Sequence, residues 1–164
     1  MPDEKLITLE PYALLYTRAG AGVCLRDPLT GKAGVIFMEL ADGMALERSL
    51  NGERPVRPAT SSLLSHFLSA MECRVRLVLI NGRKDEVFYA RVAVEAANEV
   101  MDKLVELDAR PSDALMIAAQ FGTGIKIVPA VWESMENILP QLEQLNAALR
   151  ETAESHNVSP AQIP

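Results

Sequence analysis

The sequence predicts an α+β fold, a mixed and largely antiparallel sheet with helices packed on it. Two kinds of observation lead to this class. Strand candidates that alternate apolar and polar residues are joined by turn sequences, which predicts antiparallel pairs. Other apolar segments have the spacing of helices, and one of them lies between two strand candidates. The sequence has neither a phosphate-binding loop nor a dinucleotide-binding fingerprint, so a doubly wound nucleotide fold is not expected.

Length and composition are those of a single globular domain with a helical extension. The chain has 164 residues, of which 49% are apolar, enough to form a sizeable core. We assign residues 1–129 to the α+β domain and residues 130–154 to C-terminal helices, packed on it or at a dimer interface. Residues 155–164 are polar and contain proline, so we expect a flexible tail there.

Charge and cysteine content restrict the function classes. The net charge of −6 argues against a general nucleic-acid binder, although an acidic nuclease needs positive charge only locally. Cys24 and Cys73 occur without a CxxC motif or a histidine cluster, so we expect buried, reduced thiols and no zinc site. A signal peptide is not recognisable, and no apolar run is long enough to span a membrane. These features predict a cytoplasmic protein.

The first elements are a strand, a hairpin and a short helix. The first strand candidate is Ala13–Tyr16. Two more, Gly22–Arg26 and Ala33–Glu39, flank a turn sequence of Asp, Pro and Gly and are predicted to form a hairpin. Asp42 is expected to open the helix Gly43–Leu50, which ends at an Asn-Gly pair.

The second helix follows a proline-containing linker, and Thr60 is expected to cap it. Five apolar residues then share one face at helical spacing, which predicts that this face packs in the core. They are Leu63, Leu64, Phe67, Leu68 and Met71. His66 lies off this face and has no evident ligand partner, so we interpret it as a surface residue.

The clearest strands are Arg74–Ile80 and Val87–Val94, with Asn81-Gly82 as the predicted turn between them. The residues expected to face inward are Leu77, Leu79, Phe88, Ala90 and Val92. The other face carries Arg74, Arg76, Tyr89 and Arg91. If the loop centres near Arg83-Lys84, Arg76 and Arg91 lie almost opposite each other, which is unfavourable unless phosphate or carboxylates of the chain neutralise them. With Tyr89 as a stacking surface, these four residues are candidate nucleic-acid contacts.

A further strand candidate, Leu104–Leu107, leads directly into a helix. Pro111 fits the first turn of this helix because its missing N–H would have no intrahelical partner there. Ser112 and Asp113 can each cap free N–H groups. The sequence therefore predicts a strand, a tight turn and a helix.

Three charged residues meet at this turn: Asp108, Arg110 and Asp113. The N-terminus of a helix is a common place for a polar functional site. The same residues also suit a purely structural arrangement, with Asp113 as a cap and Arg110 paired with Asp108. The spacing alone leaves both interpretations open.

The chain then returns through a strand to two helices. The helix Ala114–Phe121 is apolar on most sides and should be buried, and Ile125–Val128 should be a strand. From residue 130 the sequence is helical, and Pro140 is expected to begin the second helix. The apolar stripe of this part consists of Ile138, Leu142, Leu145 and Leu149. It predicts a helix that packs on its own domain or across a homodimer or higher homo-oligomer.

Two segments carry a family resemblance. The sequence Phe88-Tyr89-Ala90-Arg91 and the block from Leu107 to Ala114, with its Arg-Pro-Ser-Asp-Ala core, resemble the bifunctional nuclease family. The likeness covers about residues 22–128 and includes Arg57-Pro58-x-Thr60. The resemblance implies a small α+β domain, and it makes DNA and RNA the expected partners because relatives cleave both.

Metal-assisted hydrolysis of phosphodiester bonds suits the predicted turn. Asp108 and Asp113 could hold Mg²⁺ or Mn²⁺, which prefer hard oxygen ligands. Asp42 could be a further metal ligand if the two strand–helix units face each other. Arg110 could bind a phosphate oxygen with its planar guanidinium. On this hypothesis Asp108, Arg110 and Asp113 are the catalytic residues.

The chain departs from the family at one point. After Arg-Pro-x-Thr, relatives commonly carry His-Asp, where this chain has Ser61-Ser62. Serines replace neither a general acid or base nor a metal ligand well. Either the pair is not catalytic in the family or this protein has lost activity. The alternative function is therefore a catalytically inactive binding or regulatory module.

Overall fold

The computed structural model describes residues 5–53, 56–97 and 102–155. Its elements in chain order are β1 (Ile7–Thr17), β2 (Gly20–Arg26), β3 (Ala33–Met38), α1 (Leu40–Leu50), α2 (Thr60–Ala70), β4 (Cys73–Lys84), β5 (Val87–Ala97), β6 (Asp102–Ala109), α3 (Pro111–Phe121), β7 (Ile125–Ile127), α4 (Pro129–Glu133) and α5 (Leu139–Ser155). In the described part of the chain the sheet has seven strands in the order β3-β2-β1-β7-β4-β5-β6. Among these described strands, only β4 and β7 pair in parallel. The predicted α+β class is confirmed.

The first four elements follow the prediction with changed bounds, and β3 ends at Met38, one residue before the predicted Glu39. β2 and β3 form the expected antiparallel hairpin, and β1 extends well beyond Ala13–Tyr16. The helix α1 begins two residues before Asp42, with Glu39 as its N-cap. Asp42 therefore lies in the first turn of α1 and does not open it.

The predicted turn at Asn81-Gly82 is wrong. Both residues lie inside β4, and the chain turns at Asp85 and Glu86, whose φ angles are +49° and +65°. Two consecutive residues with positive φ give the twist that a two-residue hairpin requires. Asn81 has another role: in the amide orientation that satisfies both neighbours, it donates to the Tyr89 carbonyl and accepts from Arg91 Nε at 3.2 Å.

The inward face of β4 also differs from the prediction. Val78 and Ile80 are fully buried, whereas Leu77 and Leu79 are only partly buried. The pairing with β5 shifts between Val75 and Leu77, and such a bulge moves the side chains that follow it to the opposite face, here as far as a second shift after Ile80. On β5, which has no bulge, Ala90 and Val92 are buried as predicted, and Phe88 packs against the core.

The turn into α3 has the predicted path but not the predicted caps. Pro111 is the first residue of α3, and Gly122, with φ +62°, ends the helix. Arg110 is the N-cap residue and no side chain caps the helix, so capping by Ser112 and Asp113 is a wrong prediction. The Asp113 carboxylate instead binds the Arg110 guanidinium. The predicted burial of α3 is confirmed from Ala114 to Ala118.

The helix α2 is turned opposite to the prediction. Of the five apolar residues, only Leu68 is buried, and the other four are about half exposed or more: Leu63, Leu64, Phe67 and Met71. The face directed inward carries Ser65, whose hydroxyl donates to Gln120 of α3. Thr60 is the first helical residue and does not cap α2, because Ala59 is the N-cap residue.

The C-terminal segment packs on the α+β domain at its beginning. Val131, Trp132 and Met135 join the main core, and Leu142 packs in a second cluster with Cys24. The predicted division into two helices at Pro140 is confirmed, since Pro140 is the second residue of α5. Leu145 and Leu149, further along α5, are exposed. Residues 156–164 of the predicted flexible tail lie outside the described residues.

Among the described residues, no helix is both long enough and apolar enough to cross a membrane.

Candidate functional site

An open groove of about 760 Å³ is bordered by β3, the β4–β5 turn and the turn from β6 into α3. Five carboxylates and two guanidiniums line it: Glu39, Asp42, Glu86, Asp108, Glu136, Arg83 and Arg110. We call it the acidic groove. Its negative charge favours cations and disfavours a bare polyanion. Two exposed aromatic side chains, Phe37 and Tyr89, also line it.

Arg110 lies between two carboxylates of the predicted site. Its Nε and Nη2 bind the two carboxylate oxygens of Asp113 at 2.7 and 3.0 Å. Its Nη2 also lies 3.6 Å from Oδ2 of Asp42. The hydrogen bonds to Asp113, and then the charges of Asp113 and Asp42, raise the pKa of Arg110 further above its ordinary value. The structural interpretation that paired Arg110 with Asp108 is therefore wrong.

The local sequence explains this geometry. Arg110 is held in extended conformation at the end of β6 because the next residue is Pro111. Asp42 arrives from α1, which packs closely on β2 because Gly43 lies directly against the Cβ of Ala21. The two strand–helix units do face each other, which is the condition under which Asp42 was expected to join the site.

Asp108 has a different environment. It lies at the end of β6, opposite Arg91 of β5, and it lines the acidic groove. In the described part of the chain its carboxylate has no ion pair and no hydrogen bond, because Arg91 binds Glu106 at 2.8 Å instead. An exposed and unpaired carboxylate is available to an incoming ligand.

The four candidate nucleic-acid contacts are exposed, but they do not form one basic cluster. Arg91 is opposite Leu79, and the bulge after Val75 carries Arg76 out of line with it, so their predicted juxtaposition is wrong. Arg76 binds Glu95 at 2.9 Å, and Arg91 binds Glu106. Carboxylates of the chain thus neutralise these two arginines, one of the two alternatives left open by the sequence. Arg74 is exposed on β4, and Tyr89 is 45% exposed in the acidic groove.

The carboxylates of the acidic groove are the possible ligands for a divalent metal. The described residues contain no group of three or more His, Cys, Asp or Glu side chains placed to hold a metal ion. Mg²⁺ does not require one, since it usually keeps several waters and binds one or two carboxylates together with substrate phosphates. Asp108 and Asp42, which both line the groove, fit that pattern. Asp113 does not, because both of its oxygens bind Arg110.

Ser61-Ser62 lies in a second groove of about 730 Å³ between α1, α2 and α3. The Gln120 amide lies 3.4 and 3.5 Å from the two hydroxyls. Gln120 is seven residues after Asp113 on α3, or about 10 Å along the helix axis. The serines are therefore at the other end of α3 from Arg110 and do not line the acidic groove.

Sequence reasoning missed several residues that line the acidic groove, among them Phe37, Glu39 and Arg83. Glu39 had a local signal, because it lies three residues before Asp42 at the start of α1. Phe37 and Arg83 had none, since they reach the groove only through the folding of the sheet. Arg83 donates to the Ser134 carbonyl at 2.7 Å and fixes that wall of the groove.

The fold and groove together define a class of protein, a small α+β domain with an open, carboxylate-rich site at a strand–helix turn. The bifunctional nuclease domain matches residues 23–139, and the chain belongs to this family. Two uncharacterized proteins from strains of Mycobacterium tuberculosis are each 26% identical to it over 118 residues. The match covers 71% of this chain and 68% of each relative.

Proposed function

We propose that the protein is a divalent-metal-dependent nuclease that hydrolyses phosphodiester bonds of DNA, RNA or both in the acidic groove. The observation that carries the proposal is the position of Asp108. This carboxylate is unpaired and lies in the same groove as the Arg110 guanidinium and Asp42. Membership of the bifunctional nuclease domain family supports the same reaction.

The geometry suggests a division of roles. Asp108 and Asp42 would hold Mg²⁺ or Mn²⁺, which when bound supplies an activated water and neutralises phosphate charge. Arg110 binds a non-bridging phosphate oxygen with the part of its guanidinium that faces the groove. Asp113 holds Arg110 in place through two hydrogen bonds and is a positioning residue, not a metal ligand.

Charge predicts how the substrate binds. A groove with more carboxylates than guanidiniums repels a bare polyanion. Binding should therefore depend on the divalent ion as strongly as cleavage does. Phe37 and Tyr89 offer exposed aromatic faces to unpaired bases, a contact that does not require positive charge.

The alternative, a catalytically inactive binding or regulatory module, has one specific observation in its favour. Ser61-Ser62 stands where relatives commonly carry His-Asp. Both hydroxyls accept from the Gln120 amide and do not lie at a charged site. If the family's His-Asp pair is catalytic, this chain lacks it.

A cleavage assay with matched variants tests the proposal. The substrates are labelled single-stranded RNA and double-stranded DNA, with Mg²⁺, Mn²⁺ or EDTA. Asp108→Asn and Arg110→Ala should each lower the rate by about 100-fold or more, because each removes charge stabilisation at the reacting phosphate. Asp85→Asn is the control, since Asp85 is an exposed turn residue outside the groove and Asn tolerates its positive φ.

Each outcome has a definite meaning. Metal-dependent cutting that is lost in Asp108→Asn and kept in Asp85→Asn supports the proposal. Equal cutting by all variants would indicate a contaminant or another site. Absence of cutting by the wild-type protein would contradict the nuclease function and favour the inactive module.

A further inference from the structure

The helix α2 exposes an apolar face to solvent in the described structure. The face consists of Leu63, Leu64 and Phe67 with Met71 at the C-cap, and these side chains are 46–63% exposed. We call it the α2 apolar face. Contiguous exposed apolar residues of this kind mark interaction surfaces.

The orientation of α2 is maintained by its serines. The Ser65 hydroxyl is buried and has two acceptors within reach, the Gln120 side-chain oxygen and the Ser61 carbonyl, which lies 3.1 Å away. The helix thus satisfies its polar face against α3 and leaves its apolar face to solvent. Rotating the helix to bury the leucines would leave these polar groups without their partners, so the exposure is a stable feature of the chain.

The charges near α2 indicate what covers this face. From Thr60 to Ala70 the helix carries no Asp, Glu, Lys or Arg, so two copies can approach along it without like-charge contacts. The exposed Arg57 precedes the N-terminus of α2 and the exposed Glu72 follows its C-terminus. Each charge lies at the end of α2 whose dipole disfavours its sign.

An antiparallel copy of α2 reverses both of these unfavourable placements. Arg57 then lies beside the C-terminal end of the second helix and Glu72 beside its N-terminal end. The two residues also approach each other across the interface, twice by symmetry, as in an isologous dimer. We propose that the α2 apolar face binds the same face of a second copy of this chain in antiparallel orientation, with Arg57 beside Glu72 of the partner subunit.

Sedimentation velocity of the full chain over a range of concentrations tests the proposal. The wild-type protein should dimerise, and Phe67→Glu should raise the dimer dissociation constant at least about 100-fold by placing two carboxylates in the apolar contact. Phe67 is exposed, so the substitution should not impair folding. The control is Leu149→Glu, which changes an equally exposed apolar residue on α5 and should leave the dimer intact.

A charge exchange tests the antiparallel orientation. Arg57→Glu and Glu72→Arg should each weaken the dimer, by about 3-fold to 10-fold, and the double variant should restore it. A wild-type protein that stays monomeric at all concentrations would overturn the proposal. A monomer that sediments with lipid vesicles would overturn it as well. Loss of the dimer in Leu149→Glu but not in Phe67→Glu would assign the contact to α5 and also overturn it. Additive weakening in the double variant would overturn the antiparallel arrangement.

Discussion

The helices α2 and α3 have the same length and opposite relations to the core. Each spans 11 residues and each has apolar residues at helical spacing. α3 lies among α1, α2, β4 and β5 and buries its residues from Ala114 to Ala118. α2 packs on α3 through serines and exposes its leucines. Periodicity thus identifies the residues that share a helix face, but the neighbours decide which face is buried.

Core truncation should show the largest difference between the two helices. Leu115→Ala in α3 should lower the free energy of unfolding by about 2–5 kcal/mol, because Leu115 is 2% exposed and its loss leaves a cavity. Leu63→Ala in α2 should change it by less than about 0.5 kcal/mol at concentrations where the chain is monomeric. Urea unfolding followed by circular dichroism measures both. Equal losses would show that α2 packs its leucines inward in solution.

The serine face of α2 should contribute an intermediate amount. Ser65→Ala should lower the free energy of unfolding by about 1–3 kcal/mol, because it leaves the Gln120 carbonyl oxygen without its donor in a part-buried site. Ser69→Ala, on the same helix but exposed, is the matched control and should have little effect. A Ser65→Ala variant as stable as the wild-type protein would mean that the serines do not determine the orientation of α2.

Asp27 is a buried polar residue in the β2–β3 hairpin. Of the substitutions of buried residues, we expect Asp27→Asn to have the smallest effect on the free energy of unfolding. Burial alone would raise its pKa, but hydrogen bonds from the Thr30 hydroxyl and the Leu29 N–H hold the pKa below its usual value. Its contribution to stability is then fully present above the unfolded pKa, about 3.9, and is lost as the pH falls through the folded pKa.

The pH dependence of Asp27→Asn checks this sign. The urea midpoint of Asp27→Asn should lie below that of the wild-type protein by a constant amount from pH 7 to about pH 5. The gap between the two midpoints should narrow below about pH 4. A difference that widened on acidification would contradict the lowered pKa.

Much of the fold could be predicted because its signals are local. The β2–β3 turn, Pro111 at the start of α3 and Gly122 at its end each act through neighbouring residues. The faces of β4 could not be predicted, because a bulge after Val75 reverses the residues from Leu77 to Ile80 and leaves no mark in the sequence. Asn81-Gly82 was misleading because both residues lie inside β4, where Asn81 accepts a hydrogen bond from Arg91 of β5.

In the candidate site, too, only the grouping of residues that are close in sequence could be predicted. Asp108, Arg110 and Asp113 lie close in sequence, so their grouping at one turn followed from the local structure. The partner of Arg110 did not follow, because Asp42 reaches it only through the packing of α1 against β2. Phe37 lines the groove from β3, a part of the chain that nothing in the sequence connects with Arg110.

The edge strand β6 has a consequence for the protein at high concentration. It is eight residues long, pairs with β5 without a bulge and exposes Leu104 and Leu107, features typical of strands that recruit further copies into a growing sheet. In an antiparallel pair of two β6 strands, facing residues must both be odd or both be even in number, since they share a sheet face.

Under that constraint, each register centred on a residue from 103 to 107 places like charges opposite each other. The facing pairs, in order of the centre, are Lys103 with itself, Asp102 with Glu106, Asp102 with Asp108, Glu106 with itself, and Glu106 with Asp108. Like charges in this position are destabilising. Four charged residues on one short strand thus oppose fibril growth and aggregation by edge-to-edge addition. The free edge of β6 therefore stays solvated.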